Sequence, residues 1–176
     1  MELKSKLNKP FSKMERINFV YDANGNGYEI IETPTALEAW GPTAEEALES
    51  AKNAKYTEAN TKAKSYLEDG SALYEFEEGK HIEATDGNIA KMTAYALAFV
   101  TGQLQPTDTV VWNTKEDETV ELTQEQIAQI LHGLGQVQAR VWSVQFPAYV
   151  QAINEAETIE EVQAIVIDYS EFNAGD

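Results

Sequence analysis

The sequence predicts an α+β protein. We expect a small N-terminal β-hairpin unit, a linker helix, and then a helical domain of about three helices with two short β-hairpins. Three features predict this: alternating apolar residues around turn glycines, Thr residues paired with Glu or Gln at helix starts, and one long apolar run in steps of three and four. The expected divisions are residues 1–70 for attachment or oligomerisation, 71–170 for the helical domain, and 171–176 as a frayed tail.

The first sixteen residues are basic, although the whole chain carries a formal charge of −17. The cations that outnumber Glu2 and Glu15 are Lys4, Lys6, Lys9, Lys13 and Arg16. One interpretation is a solvated, frayed terminus. The other is an electrostatic contact with an acidic neighbour, such as another copy of the chain. In the second case Lys9, Lys13 and Arg16 are interface candidates.

Residues 17–40 predict the small β unit. Residues 17–21 and 28–32 are the expected strands of a hairpin. The repeated Asn-Gly pair at 24–27 supplies the positive-φ positions that a tight turn requires. Residues 35–40 predict a third short strand, because apolar and polar residues alternate along it.

The linker helix is predicted from a capping box, in which Thr43 and Glu46 each accept a hydrogen bond from the other's backbone N–H. The segment runs to about residue 67 and is rich in Ala, Glu and Lys, with a thin apolar stripe. We expect it to serve as a linker or an association surface, with Trp40 and Tyr56 as candidate anchors. Gly70 suits a left-handed cap, and we expect the module boundary there.

The first elements of the second module are a hairpin and a helix. Residues 72–76 and 81–84 predict the two strands of the hairpin. The next helix is expected from about residue 87 to 101, with Asp86 as its cap and Gly102 at its end.

A second hairpin is predicted from residues 109–113 and 118–122. Thr123 and Gln126 form another capping box, which opens the most regular helix of the chain. Its apolar positions, in steps of three and four, are Ile127, Ile130, Leu131, Leu134, Val137, Val141 and Val144. They predict one buried face. Pro147 is expected to kink or break this helix.

The last predicted helix opens at a third capping box, formed by Thr158 and Glu161. Its apolar residues are Val162, Ile165 and Val166.

The residues that carry most enzyme chemistry are missing from recognisable settings. The chain has no cysteine, which excludes disulfides, thiolate catalysis and cysteine metal sites. Its two histidines, His81 and His132, have no partner at metal-ligand spacing. No serine lies in Gly-x-Ser-x-Gly, and no phosphate-binding glycine loop is present. We therefore expect no enzyme activity and no cofactor or metal.

The acidic charge disfavours nucleic acids and anionic membranes as partners. No apolar run is long enough to cross a bilayer or to act as a signal peptide. Most carboxylates fall at turns and at helix N-termini, where the helix dipole favours them. The run from Glu116 to Glu121 is the suspect surface if the chain is instead an acidic DNA mimic or anti-defence inhibitor. The three tryptophans, Trp40, Trp112 and Trp142, predict core or interface anchors, with a sugar-stacking platform as the less favoured interpretation.

The C-terminal part resembles a known group of proteins through the order of its short motifs. They are Tyr74-Glu75-Phe76, Gly79, His81-Ile82-Glu83-Ala84, Val110-Val111-Trp112, Asp117, and Val120-Glu121-Leu122-Thr123 followed by Gln124-Glu125-Gln126. From about residue 72 to 168 the chain resembles an uncharacterised domain family seen in tailed-phage and prophage proteins, often beside tail-fibre genes. Residues 8–20 are also similar to the start of small phage-encoded proteins.

The resemblance implies a virion structural or adaptor protein of the tail or tail-fibre apparatus. Such a protein would bind other tail proteins, form a homo-oligomer compatible with three-fold or six-fold symmetry, and reside in the virion tail after assembly in the host cytoplasm. The resemblance implies no catalytic residues. The alternatives are a tail-fibre assembly chaperone and the acidic inhibitor named above.

Overall fold

The computed structural model describes residues 1–170, which form an α+β fold of two compact units. Unit 1 comprises Met1–Ala54 and Glu157–Gln163, and unit 2 comprises Lys55–Ala156 with the segment from Ala164 onward. The compact units divide between Ala54 and Lys55, whereas the sequence predicted a module boundary near residue 70. The predicted frayed tail lies outside the described residues.

Unit 1 contains a three-stranded antiparallel sheet in the order β1–β3–β2. The strands are β1 (Glu2–Asn8), β2 (Glu29–Glu32) and β3 (Ala36–Gly41), and helix α1 (Lys13–Gly25) connects the first two. The central strand β3 alternates as predicted. Its buried core residues include Leu37 and Ala39.

Two predictions for this region are wrong. Residues 17–21 lie in helix α1, and the first residues are not a frayed terminus but form strand β1 against β3. Residues 17–21 form a helix rather than a strand because Ser12 and Glu15 form a capping box, in which the Ser12 N–H donates to Glu15 Oε2 over 2.7 Å. The Asn-Gly repeat therefore closes a helix, with Gly27 at φ 69°.

Helix α2 (Ala44–Glu68) confirms the predicted linker helix. Its capping box is present: Thr43 N–H donates to Glu46 Oε2 over 2.8 Å, and Glu46 N–H donates to Thr43 Oγ1 over 3.1 Å. Gly70 follows it at φ 81°, a conformation that glycine adopts without steric cost.

Unit 2 contains both predicted hairpins, β4–β5 and β6–β7, each antiparallel. The elements up to its longest helix are β4 (Leu73–Glu77), β5 (Lys80–Glu83), α3 (Asp86–Val100), β6 (Val110–Asn113), β7 (Thr119–Leu122) and α4 (Gln124–Arg140). One cap differs from the prediction. Thr85, not Asp86, accepts the N–H of Asn88 at the start of α3, because Asp86 already has helical backbone.

The predicted buried face of α4 is confirmed at Ile127, Ile130 and Leu134, each at most 1% exposed. Helix α4 ends before Pro147. A π-helical turn, Val141–Gln145, follows it and leads into α5 (Phe146–Glu155). Pro147 lies in the first turn of α5, where its fixed φ fits the helix.

The last helix is α6 (Ile159–Ala164). It opens at the predicted capping box, where Glu161 N–H donates to Thr158 Oγ1 over 3.1 Å. Of the three apolar residues expected in this helix, Val162 lies within it and is 1% exposed. Ile165 and Val166 lie beyond its end, and Val166 is 79% exposed.

Candidate protein-binding site

Helix α1 of unit 1 presents large apolar side chains to solvent. Met14, Ile17 and Tyr21 are 65%, 50% and 78% exposed. Their spacing of three and four residues places them in one stripe along the helix. We call these three residues the α1 stripe. Exposed apolar residues are ordinary when scattered singly, but a contiguous stripe is typical of an interaction surface.

The inner side of α1 explains why the stripe faces outward. Ala23 is buried, and Phe19 and Val20 are half-buried. A 13-residue helix that buries only these side chains has a second apolar face left over. Sequence reasoning missed the stripe because residues 17–21 were assigned to a strand, in which Ile17 and Tyr21 would lie on one face and Met14 would not belong to the element.

The basic residues of the N-terminal segment mostly stabilise unit 1 itself. Lys9 Nζ lies 2.9 Å from Glu32 Oε1, and Arg16 Nη2 lies 3.1 Å from Glu32 Oε2. Hydrogen bonds from Lys9 and then Arg16 hold the pKa of the Glu32 carboxyl below its usual value. Of the three predicted interface cations, Lys13 is the one for which no ion pair is seen within residues 1–170, and it lies one position before the α1 stripe.

The predicted tryptophan anchors occupy three different environments. Trp112 is only 9% exposed and packs edge-to-face on Tyr95, so the core interpretation applies to it. Trp40 is half-buried in β3, and its indole N–H has no hydrogen-bond acceptor among the described residues. Trp142 is half-buried against Phe146, with ring centroids 5.5 Å apart.

Tyr56 belongs to the same aromatic group as Trp142. The Tyr56 ring packs edge-on against the Phe146 ring, with centroids 5.5 Å apart, while 46% of the residue stays exposed. Helix α2 and the π-helical region therefore bring two predicted anchors together in unit 2. Gln145, in the π-helical turn, is 5% exposed, and its amide has no partner within residues 1–170. Such a group is costly to bury.

A second feature of unit 2 joins its two hairpins. The Glu116 carboxylate accepts the backbone N–H of His81 over 3.0 Å, and its other oxygen lies 2.8 Å from His81 Nδ1. The Lys115 N–H donates to the His81 carbonyl over 2.9 Å. These contacts hold the β6–β7 turn against β5. No sequence pattern predicts them, because the residues are 35 positions apart.

The hydrogen bond from the His81 backbone is the main reason why the pKa of Glu116 falls from 4.5 to about 2. A carboxyl group whose pKa is lowered by folding stabilises the folded state at pH values above its usual pKa. This stabilisation is lost as the pH falls from 4.5 towards 2. We therefore expect Glu116→Gln to loosen the turn at neutral pH, since an amide cannot accept both bonds. Hydrogen exchange of the His81 and Lys115 amides should be faster in this variant and less dependent on pH below 4.5.

Glu118→Gln is the matched control, because it removes the same charge from the same turn at a carboxylate that does not contact His81. Equal exchange at the His81 amide in both variants would contradict the proposed role of the Glu116 carboxylate.

Two carboxylates of the acidic run Glu116–Glu121, the suspected DNA-mimic surface, make hydrogen bonds within unit 2. Glu116 binds His81, and Glu121 accepts a hydrogen bond from the Thr109 hydroxyl over 3.3 Å. Within residues 1–170, no group of three or more His, Asp or Glu side chains is placed to hold a metal ion. No helix in the same range has the length and apolarity needed to cross a membrane.

Comparison with known proteins supports a family assignment. Residues 50–170 match a family described as a domain of unknown function, DUF4376, and this range covers well over half of the chain. No curated protein and no solved structure gives a match. The expectation of an uncharacterised family across the C-terminal part is confirmed, and the match itself says nothing of tail fibres. The chain belongs to the DUF4376 family.

Proposed function

We propose that this protein is a structural or adaptor protein of a phage tail or tail-fibre apparatus, and that it acts by binding another tail protein through the α1 stripe. It would be present in several copies in the virion tail, after assembly in the host cytoplasm. The single observation that carries the binding role is the exposure of Met14, Ile17 and Tyr21 along one helix face.

The chemistry of unit 1 favours a protein partner over a nucleic acid. The α1 stripe is apolar. Two of the cations predicted to form an interface, Lys9 and Arg16, form ion pairs with Glu32 of the same unit. Apolar anchors surrounded by polar residues are typical of the centre of a protein–protein interface. The tail context rests on the resemblance of residues 72–168 and 8–20 to phage proteins.

Quantitative mass spectrometry of purified particles tests the tail assignment. We expect the protein in mature virions at a copy number compatible with three-fold or six-fold symmetry. If particles lack it while infected cells contain it bound to fibre polypeptide, the chaperone alternative replaces the adaptor. If neither particles nor fibre complexes contain it, both tail functions are wrong.

Charge substitution on the α1 stripe tests the binding face. We expect Ile17→Lys to weaken capture of the tail partner from infected cells by tenfold or more, since a hot-spot side chain contributes roughly 2 kcal/mol or more. Folding should change little, because Ile17 is half exposed. Pull-down from cells infected with the variant phage gives the measurement.

Ile31→Lys is the matched control: it makes the same substitution at a position that is 42% exposed in strand β2, outside the α1 stripe. Equal partner capture by the wild-type protein and Ile17→Lys would exclude this face.

A further inference from the structure

Unit 2 contains an open polar pocket between the end of β5, the first turn of α3 and the β6–β7 turn. Its volume is about 390 Å³. The floor is formed by side chains of the core, among them Ile82 and Trp112, and by the buried Thr114. The polar residues of the wall are Glu83, Asn88, Asn113, Lys115 and Asp117.

The wall is held in place by hydrogen bonds that fix the β6–β7 turn. The β6–β7 turn is fixed to β5 by the Glu116–His81 pair and by the Lys115 N–H to His81 carbonyl bond. Thr114 Oγ1 accepts the Glu118 N–H over 3.2 Å and closes the turn. Polar groups positioned by such supports lose little freedom when a ligand binds, which favours binding.

Several wall groups keep hydrogen-bonding capacity. The Asn88 side-chain NH₂ group donates to the Glu83 backbone carbonyl over 3.1 Å. The Asn113 side-chain oxygen accepts from the Thr119 hydroxyl over 3.1 Å. Within residues 1–170, the Asn88 oxygen, the Asn113 NH₂ group and the Asp117 carboxylate have no such partner. The pocket thus offers unused donors and acceptors side by side.

The charges of the wall narrow the ligand class. Glu83 and Asp117 repel an anion. Lys115 Nζ lies 2.6 Å from Glu83 Oε1 and occupies the position that a bound cation would take. An apolar ligand would leave the free amide and carboxylate groups unpaired. A neutral molecule whose hydroxyls both donate and accept satisfies them all.

We propose that this pocket binds a neutral polyhydroxylated ligand of monosaccharide size. The volume falls near the lower end of the roughly 300–1,000 Å³ typical of small-molecule sites, which suits one sugar ring rather than a chain of them. The Asp117 carboxylate and the Asn113 NH₂ group bind ligand hydroxyls, and Trp112 provides part of the apolar floor. This site is independent of the α1 stripe and of the tail assignment.

Amide-resolved NMR titration of the full chain tests the site. The probes are glucose, galactose, mannose and N-acetylglucosamine, with putrescine and inorganic phosphate as charged comparisons. We expect at least one sugar to give saturable shifts at residues 113–117 and at the Asn88 side chain, with no saturation by putrescine or phosphate. Absence of saturation with all four sugars, or saturation with a charged probe only, overturns the proposal.

Variants at Asp117 locate the binding groups. Asp117 has φ 59°, so Asp117→Gly removes the carboxylate while keeping a backbone that glycine adopts freely. We expect this variant to weaken sugar binding by roughly tenfold, the loss of one charged hydrogen bond. Asp117→Asn keeps the shape and should also weaken binding.

Glu78→Ala is the control, since it removes an exposed charge from the turn of the other hairpin. Amide shifts of the free variants report whether the fold is retained. Unchanged affinity in both Asp117 variants overturns the assignment.

Discussion

Gly133→Ala is expected to lower the free energy of unfolding by about 1–3 kcal/mol, the range for overpacking a filled site. Gly133 is buried in the middle of α4, where the Tyr74 ring of β4 packs directly on the helix backbone. An added Cβ would lie 2.2 Å from two carbons of that ring, so the ring or the helix must move. The gain in helix propensity, about 0.5–1 kcal/mol for Gly to Ala, does not offset this displacement.

Gly135→Ala is the matched control, two residues along the same helix. Its Cβ would have no neighbour within 4 Å, and the position is exposed. This variant should gain about 0.5–1 kcal/mol of stability from helix propensity alone. Chemical denaturation gives both values, and a stabilising Gly133→Ala would show that Tyr74 does not pack on α4.

A double variant separates the ring contact from other effects. In the Tyr74→Ala background, Gly133→Ala should cost less than in the wild-type protein, because the ring that it would strike is gone. The coupling between two residues in contact is expected to be about 0.5–3 kcal/mol. Additive losses would assign the effect of Gly133→Ala to some other neighbour.

Tyr169→Ala is expected to lower the free energy of unfolding by about 3–5 kcal/mol, as for other large aromatic side chains in a core. Tyr169 is 3% exposed and lies in an irregular segment with no ladder of its own. Its ring packs on Tyr149 and Tyr66, with centroids 5.4 and 6.3 Å away, and its hydroxyl donates to the Ala59 carbonyl over 3.1 Å.

Side chains from neighbouring helices fix the same segment. Lys62 Nζ donates to the Ile167 carbonyl over 3.2 Å, and the Tyr149 hydroxyl donates to the Asp168 carbonyl over 2.6 Å. Because these contacts depend on the position of the segment, the loss of the Tyr169 ring should release them together. Calorimetry of the full chain measures the change.

Two controls divide the contribution of the Tyr169 side chain. Tyr169→Phe keeps the ring and should lose about 0.5–1.5 kcal/mol, the net value of one hydrogen bond. Val166→Ala, at a position 79% exposed in the same segment, should stay within about 0.5 kcal/mol of the wild-type protein. Equal losses for Tyr169→Ala and Tyr169→Phe would contradict the dominant role of the ring.

The pH dependence provides a further control. Burial raises the pKa of the Tyr169 hydroxyl from 10 to about 12. A raised pKa means that stability is fully present below pH 10 and is lost as the pH rises from 10 towards 12, because the unfolded chain releases the proton first. Tyr169→Phe should therefore show a weaker loss of stability in this alkaline range.

The local features of this protein were predictable because each depends on residues a few positions apart. Thr43 with Glu46, Thr123 with Gln126, and Thr158 with Glu161 mark helix starts at a fixed spacing of three, and all three helices begin where predicted. Both hairpins of unit 2 and the buried face of α4 follow from their periods of two and about 3.6 residues.

The short apolar run at residues 17–21 shows where this reasoning fails. Its β-branched and aromatic residues favour a strand, and five residues are too few to distinguish the two periods. The Ser12–Glu15 capping box decides for a helix, and the place beside β3 is taken by Glu2–Asn8, a pairing that spans about thirty residues of chain. The α1 stripe is a consequence of this helix.

The sequence by itself therefore determined the α+β class, the starts of α2, α4 and α6, the hairpin turns of unit 2 and the core face of α4, since these are set by neighbours along the chain. Only the tertiary structure decided the strand order of unit 1, the Glu116–His81 contact across 35 residues, and the Tyr169–Ala59 bond across 110. Such contacts depend on which distant segments the folded chain brings together, and no local spacing records that choice. The polar pocket, which joins residues of both hairpins and α3, is a product of that choice.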